Sequence, residues 1–377
     1  MEAPSTPSRS ESHIPQRESV VKVSTLELFF DLVFVFTITQ LTGVLAADLT
    51  WPSAGRVVLM LGIILWMYGG YAWLTNVVAP SDAVRRGLLL SGMAGFLLIA
   101  LAIPDAFGAS GWAFGVGYFV VNAIHSGLLL RAAPSAMKQL APLNLLSASL
   151  ILVGGFVDDP WRVVLWCAGL VVIAGSPFLH PLSEWTITSS HFVERHGLIV
   201  IVALGESIVA IGVGAAGLEL TGSLVTVALL GLVLAFGLWW LYFGGDDEAA
   251  EHALDAAPSM QRGRLAIRAF GFAHYPLLLG VVVFAAGVKK ATTYAGGHIY
   301  LSQALLLGGG VALFLFADAW FRRILSIGLL RFRLAGGLAA LATVPLGLTS
   351  TIGQMVALAL VLAAVLLLEK RAQLRSI

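Results

Sequence analysis

From Val23 onward the chain is a succession of apolar stretches, each about 17–22 residues long, the length a helix needs to cross the roughly 30 Å hydrocarbon core of a bilayer. In that solvent every backbone N–H and C=O must find its partner inside the protein. A long, continuously apolar stretch therefore closes its own hydrogen bonds as an α-helix. The stretches fall at 25–46, 56–76, 87–104, 112–131, 142–157, 162–180, 196–216, 223–243, 268–288, 302–321, 334–349 and 351–369, and predict twelve spans. Composition excludes the alternatives. Only 11% of residues are charged, 58% are hydrophobic and the mean hydropathy is +0.91, against about 25% charged and 45–50% apolar in a soluble domain. A soluble enzyme and a disordered chain are both ruled out. With a net charge of +1 and no basic domain, nucleic acid is not an expected partner. The single cysteine, Cys167, makes no intrachain disulfide, and no Cys/His run has zinc spacing, so neither a metal nor a cofactor is expected. The fold class is an all-α polytopic integral membrane protein.

The basic residues orient the spans. Of 22 Lys and Arg, four (Arg56, Arg162, Lys289 and Lys290) fall on one side and the remaining eighteen on the other. The positive-inside rule makes the rich side cytoplasmic and predicts both termini there, in a bacterial inner membrane. Residues 1–22 are polar and lack the charged, apolar, small-residue order of a cleaved signal. They are expected to form a disordered cytoplasmic tail.

The spans also echo one another. The first opens with Glu27 and LFFDLVFVF, the seventh with Glu194 and RHGLIVIVALGES. The second carries LWMYGGYAW and the eighth LWWLYFGGDD; basic residues precede the third and the ninth. These pairs predict a tandem duplication of a six-helix unit: 23–180, then 181–377 with a cytoplasmic loop at 244–267. An even number of spans per unit makes the repeat parallel, with its axis along the membrane normal. The boundary lies near 181–194, where a short interfacial helix is expected.

Ionisable groups inside a span cost about 2.5–3.5 kcal/mol at a helix centre and therefore turn inward. Glu27 and Asp31 stand at i,i+4 on one face of the first span, with Thr39 and Gln40 deeper. Glu27 also reads as an interfacial cap. On the seventh span Arg195 and Glu206 are eleven residues apart, which returns them to within about 20° of one face but about 16 Å apart along the axis. Glu206 sits near the midplane, followed by Ser207, and its partner must come from another helix; His125, His274 and Arg268 have suitable depth. Asn122, His125 and Ser126 share a face of the fourth span, and Asp318 and Arg322 stand at i,i+4 on the tenth. Trp66, Tyr71 and Trp73 read either as interfacial belt residues or as cavity lining. Asp158–Asp159 and Asp246–Asp247 read as solvated turns. Most of these groups lie in the cytoplasmic half, which predicts a polar cavity open to the cytoplasm beneath an apolar outer plug.

Two segments, ELFFDLVFVFTITQLT (27–42) and ERHGLIVIVALGESIVAIG (194–212), resemble the signature segments of the bacterial low-temperature-requirement A (LtrA) family. The resemblance implies roles for Glu27, Asp31 and Gln40 in the first, and for Glu194, Arg195, Gly197, Gly205, Glu206 and Ser207 in the second. The family name describes a growth phenotype and implies no reaction. Two functions fit the residues: a transporter or ion-conducting protein that uses Asp31 and Glu206 for protons or cations, or a membrane-embedded enzyme on a lipid or isoprenoid substrate. In the second reading Asp31, Glu206 and His125 are the acid–base groups, because carboxylic acids buried among apolar residues hold protons that they can donate. The partners would be the bilayer, a small ion or hydrophobic small molecule, and, in either reading, a second copy of the chain.

Overall fold

The computed structural model describes residues 24–77, 82–179, 187–295 and 297–375. The expected tail at 1–22 and residues 181–186 of the expected boundary segment lie outside the described residues. Fifteen α-helices follow in order. They are α1 (Thr25–Ala47), α2 (Trp51–Val77), α3 (Ala83–Ala102), α4 (Gly111–Ala132), α5 (Pro134–Gly155), α6 (Trp161–Leu179), α7 (Ser189–Ala215) and α8 (Gly222–Phe243). Then come α9 (Asp246–Ala256), α10 (Ser259–Ala266), α11 (His274–Thr293), α12 (Leu301–Leu325), α13 (Leu330–Ala342), α14 (Val344–Gly347) and α15 (Thr351–Leu374). A π-helical segment, Ile267–Ala273, joins α10 to α11.

Among the described residues, eleven helical segments are long and apolar enough to span a bilayer. The protein is an all-α polytopic membrane protein, and its surface agrees. Leu229, Leu232, Val233 and Phe236 of α8 and Leu32 of α1 are exposed, side chains a soluble protein would bury and lipid solvates.

The eleventh expected span, 334–349, is broken. It consists of α13, thirteen residues long, and the four-residue α14. Thirteen residues rise only about 20 Å. Pro345 supplies the reason, because its ring restricts the residue before it and removes an N–H from the ladder. Thr343 helps by donating its hydroxyl to the Ala340 carbonyl at 2.7 Å. Two further boundaries differ from expectation. The seventh helix begins at Ser189, so the described part of the boundary segment continues into α7 without a separate interfacial helix. The loop expected at 244–267 is helical: α9, α10 and the start of the π segment.

Helix starts follow local chemistry. Ser24 caps α1, and Glu27 closes a capping box by accepting from the Ser24 amide at 2.8 Å. Asp82, Thr221 and Ser350 cap α3, α8 and α15 through their side chains.

In the first half α1 packs on α3, α3 on α4, α4 on α5, α5 on α6 and α2 on α6. In the second, α7 packs on α11, α11 on α12, α12 on α13, α13 on α15 and α8 on α15. The α11–α12 approach is so close that a Cβ on Gly280 would stand 2.6 Å from the Phe314 nitrogen, and α3–α4 contact is close enough to place one on Gly117 at 2.8 Å from the Gly95 carbonyl oxygen. The halves meet where α1 lies against α7 and α11, and α2 against α7, α11 and the π segment. An aromatic core of Phe30, Phe34, Tyr68, Tyr71 and Phe96 fills the junction of α1, α2 and α3.

Candidate functional site

The first constellation is a polar seam between α1 and α7. Arg195 is 1% exposed. Its Nη1 donates to Asp31 Oδ2 at 2.8 Å and to the Glu27 carbonyl at 3.2 Å. Tyr68 from α2 lies within 3.1 Å of Asp31 Oδ1 and 3.0 Å of the Arg195 carbonyl oxygen, so its one proton is shared between them. His191 Nε2 lies 3.2 Å from Glu27 Oε1. Asn76 exchanges hydrogen bonds with the Thr188 backbone at 3.1 and 2.9 Å, which fixes its amide; the same nitrogen donates to His191 Nδ1 at 3.3 Å. The imidazole proton therefore sits on Nε2, facing Glu27. Glu27 is both cap and ion-pair member.

One level deeper, Glu206 accepts the Thr39 hydroxyl of α1. The positive charge that acts on it belongs to Lys289. Asp31 to Thr39 and Arg195 to Glu206 step in the same direction, so α1 and α7 are parallel and their polar pairs form two rungs. The expected histidine or Arg268 partner is not what Glu206 meets. Arg268 is exposed, His125 and His274 lie elsewhere, and Thr39, rather than its neighbour Gln40, reaches the carboxylate. A hydroxyl at this register satisfies the carboxylate from the adjacent helix, and the intervening turns exclude the deeper rings. Glu194 is exposed and stands outside the cluster. Ser207 is buried with no partner for its hydroxyl.

The second constellation is a cavity of about 290 Å³ between the halves, enclosed by α2, α4, α5, α6, α7, the π segment and α11. Trp66 and Trp73 line it, as one of their two readings expects, with His125 and His274. Tyr71 does not; its hydroxyl donates to the Val121 carbonyl at 3.1 Å and its ring stacks on Phe30. Asp31 and Glu206 do not line it either, so they do not face each other across a cavity. No Asp, Glu, Lys or Arg is among the described residues of the wall. The cavity is thus mainly apolar where a polar one is expected, because the charged groups of the inner half pair with one another in the seams. Asn122 stands behind the wall, bonded to Ser126, which in turn accepts from Asn144 at the wall.

The π segment shapes this cavity. Its extra residue sends the His274 amide to the Ala269 carbonyl, five residues back, and the same oxygen takes the Nδ1 proton at 3.1 Å. His274 Nε2 is therefore the acceptor for the Tyr242 hydroxyl at 2.8 Å. π segments of this kind are enriched at functional sites.

The third constellation was only partly legible in sequence. Asp318 and Arg322, 3.6 Å apart, belong to a network with Asp246, Arg333 and Glu369. Arg322 forks onto Asp246 at 2.6 and 2.9 Å and donates to Glu369 at 2.8 Å. Arg333 donates to Glu369 at 2.9 Å and to the Leu241 carbonyl at 3.0 Å. Asp246 is therefore no solvated turn; it begins α9 and is buried against Arg322. Asp159 does behave as an exposed turn residue, paired with Arg56 at 3.0 Å.

His196 and Glu369 were not singled out by sequence, Tyr68 and Tyr242 read there as interfacial belt aromatics, and Arg333 as one of the basic residues that orient the spans. His196 follows Arg195 and turns to the cavity, about 100° around the helix from it.

The family model described as "Bacterial low temperature requirement A protein (LtrA)" matches residues 22–368. An uncharacterized protein of Rhizobium meliloti (strain 1021), RA0937, is 30% identical over 327 residues, covering 81% of this chain and 78% of that protein. No solved structure gives a significant match.

Proposed function

The chain belongs to the bacterial low temperature requirement A (LtrA) family, and we propose that it binds and acts on a hydrophobic, lipid- or isoprenoid-like molecule in the cavity between its halves. The observation that carries this reading is the wall. Its volume of about 290 Å³ sits at the lower end of ligand pockets, roughly 300–1,000 Å³. The wall combines Leu, Ile, Met, Trp and Phe side chains with a few convergent polar groups, the composition such pockets need. Because Asp31 and Glu206 stand outside the wall, acid–base work on a bound molecule falls to His196, whose Nε2 is left without a partner. The test is organic extraction and mass spectrometry of protein purified in mild detergent. Wild type should carry an apolar molecule that the Gly271→Leu variant lacks, since a Cβ at 271 would reach within 3.7 Å of the Trp66 ring. Equal, empty spectra from both would sink the reading.

Ion transport is the second reading, and the Glu206–Thr39 rung favours it. A buried carboxylate held by a neutral hydroxyl along a two-rung seam suits a proton or cation stop. Proton flux into proteoliposomes that vanishes in Glu206→Gln would support it. The six-plus-six duplication and the inner-membrane orientation belong to the same proposal. The matching order of neighbours in the two halves and the parallel α1 and α7 support the duplication, and the eighteen-to-four split of Lys and Arg supports the orientation, with Lys289–Lys290 its one local exception.

A further inference from the structure

We infer that the cavity selects an uncharged long-chain alcohol and rejects the corresponding carboxylate or phosphate. This rests on the hydrophobic-ligand reading above and names the head group. Two observations carry it. The described wall contains no charged side chain, so an anionic head would be buried without a counter-ion. The second is the direction of the wall's hydrogen bonds.

Every hydroxyl and imidazole proton of the described wall is already committed to a protein acceptor. Tyr275 donates to the Val58 carbonyl at 2.7 Å and Ser176 to the Ile173 carbonyl at 2.8 Å. Tyr68 spends its proton on Asp31 or the Arg195 carbonyl. A carbonyl oxygen can only accept, so in a neutral imidazole the nitrogen beside it carries the proton and the other is left bare. His125 Nε2 lies 3.0 Å from the Gly70 carbonyl, and His196 Nδ1 lies 2.8 Å from that of Phe192. His125 Nδ1 has no partner among the described residues but is sealed from the cavity as well, which leaves Nε2 of His196 as the bare nitrogen within reach of a ligand. His274 is excluded, since Tyr242 occupies its Nε2.

The polar points left for a ligand at these rings and hydroxyls are acceptors. A carboxylate or phosphate, which also only accepts, finds no complement at these groups, and the N–H donors that remain on the wall, those of Trp66 and Asn144, are neutral and do not offset its charge. A hydroxyl donates one hydrogen bond and leaves its chain to the apolar wall. A buried, unpartnered imidazole nitrogen costs stability that such a donor relieves.

Bromine quenches tryptophan, and Trp66 and Trp73 line the cavity, so ω-brominated probes read occupancy directly. Wild-type protein in nanodiscs is titrated with a brominated fatty alcohol, the matching brominated fatty acid and the matching alkyl phosphate, and each titration is repeated on Gly271→Leu. The alcohol should quench saturably in wild type, not in Gly271→Leu, and bind at least about tenfold more tightly than either anion. His196→Phe keeps an aromatic ring and removes the acceptor. It should weaken the alcohol about fivefold and leave the anions unchanged, consistent with one lost hydrogen bond. If an anion binds as well as the alcohol and Gly271→Leu abolishes both, the cavity reading stands and the alcohol inference falls. If no probe quenches saturably, both fall. Should a histidine variant fail to fold, the wild-type alcohol-to-anion ratio decides alone.

Discussion

Arg195 is buried in α7 because two carboxylates and the Glu27 carbonyl of α1, with the Tyr68 hydroxyl of α2, await it. Breaking a buried pair from one side leaves an uncompensated charge, which costs about 3–5 kcal/mol. Asp31→Asn should therefore lower the unfolding free energy by that order, read as a loss of thermal stability in detergent. The double variant Asp31→Leu with Arg195→Met removes both charges and should recover most of the loss. A double variant no better than the single would show that the ion pair is not what Asp31 contributes. Glu206 differs, since its partner is a neutral hydroxyl. Glu206→Gln retains an acceptor for Thr39 and should melt within about 1 kcal/mol of wild type. If ion movement is the function, growth complementation at low temperature is lost in this stable variant; full complementation removes Glu206 from the functional residues.

At the scale of elements, α13 illustrates how a helix too short to span is held. Its first turn carries Arg333, locked to Glu369 of α15, Asp318 of α12 and the Leu241 carbonyl at the end of α8. Arg322 ties the same carboxylates to the start of α9. Three carboxylates against two guanidiniums make the network intolerant of losing a cation. Arg333→Met should destabilise the protein by about 3–5 kcal/mol. Hydrogen exchange should accelerate first in α13 and in the inner turn of α15 while α1–α4 stay protected. Uniform acceleration across the chain would contradict this local role. The Arg162 guanidinium does comparable work between α3 and α6, donating to the carbonyls of Ala106, Gly108, Gly154 and Val157 at 2.9–3.3 Å. It satisfies chain-end carbonyls that lipid cannot.

For the whole molecule, the disposition of the halves is tied to orientation. On a Cys167→Ser background, a cysteine at Lys290 should react with an impermeant maleimide added to intact spheroplasts, and one at Arg264 only after lysis. The reverse pattern would overturn the orientation and, with it, the side from which the cavity is reached. α1 and α7 start on the same face, as a parallel six-helix repeat demands. Superposing α1–α6 on α7–α15 by a rotation about the membrane normal is the geometric counterpart of that experiment.

The sequence alone determined that this is a bundle of membrane helices and which faces turn inward, because chain length against bilayer thickness and the cost of charge in hydrocarbon act on each helix separately. The same local logic marked Asp31, Arg195 and Glu206 as inward-facing. It could not say what each would meet, since a partner is a property of two helices and of the register between them. Asp31 found Arg195, and Glu206 found Thr39, only once α1 lay parallel to α7. Nor could it separate an orientation signal from a network member: Arg333 and Glu369 look in sequence like any charges at a span end, and only the convergence of α9, α12, α13 and α15 makes them one cluster. The cavity is the clearest case. Its walls come from both halves, the Nε2 of His196 is left bare only because a backbone carbonyl takes the other proton, and one π turn sets His274 in place. Hydrophobicity is a property of residues, whereas empty space and the direction of a hydrogen bond exist only in the packed molecule.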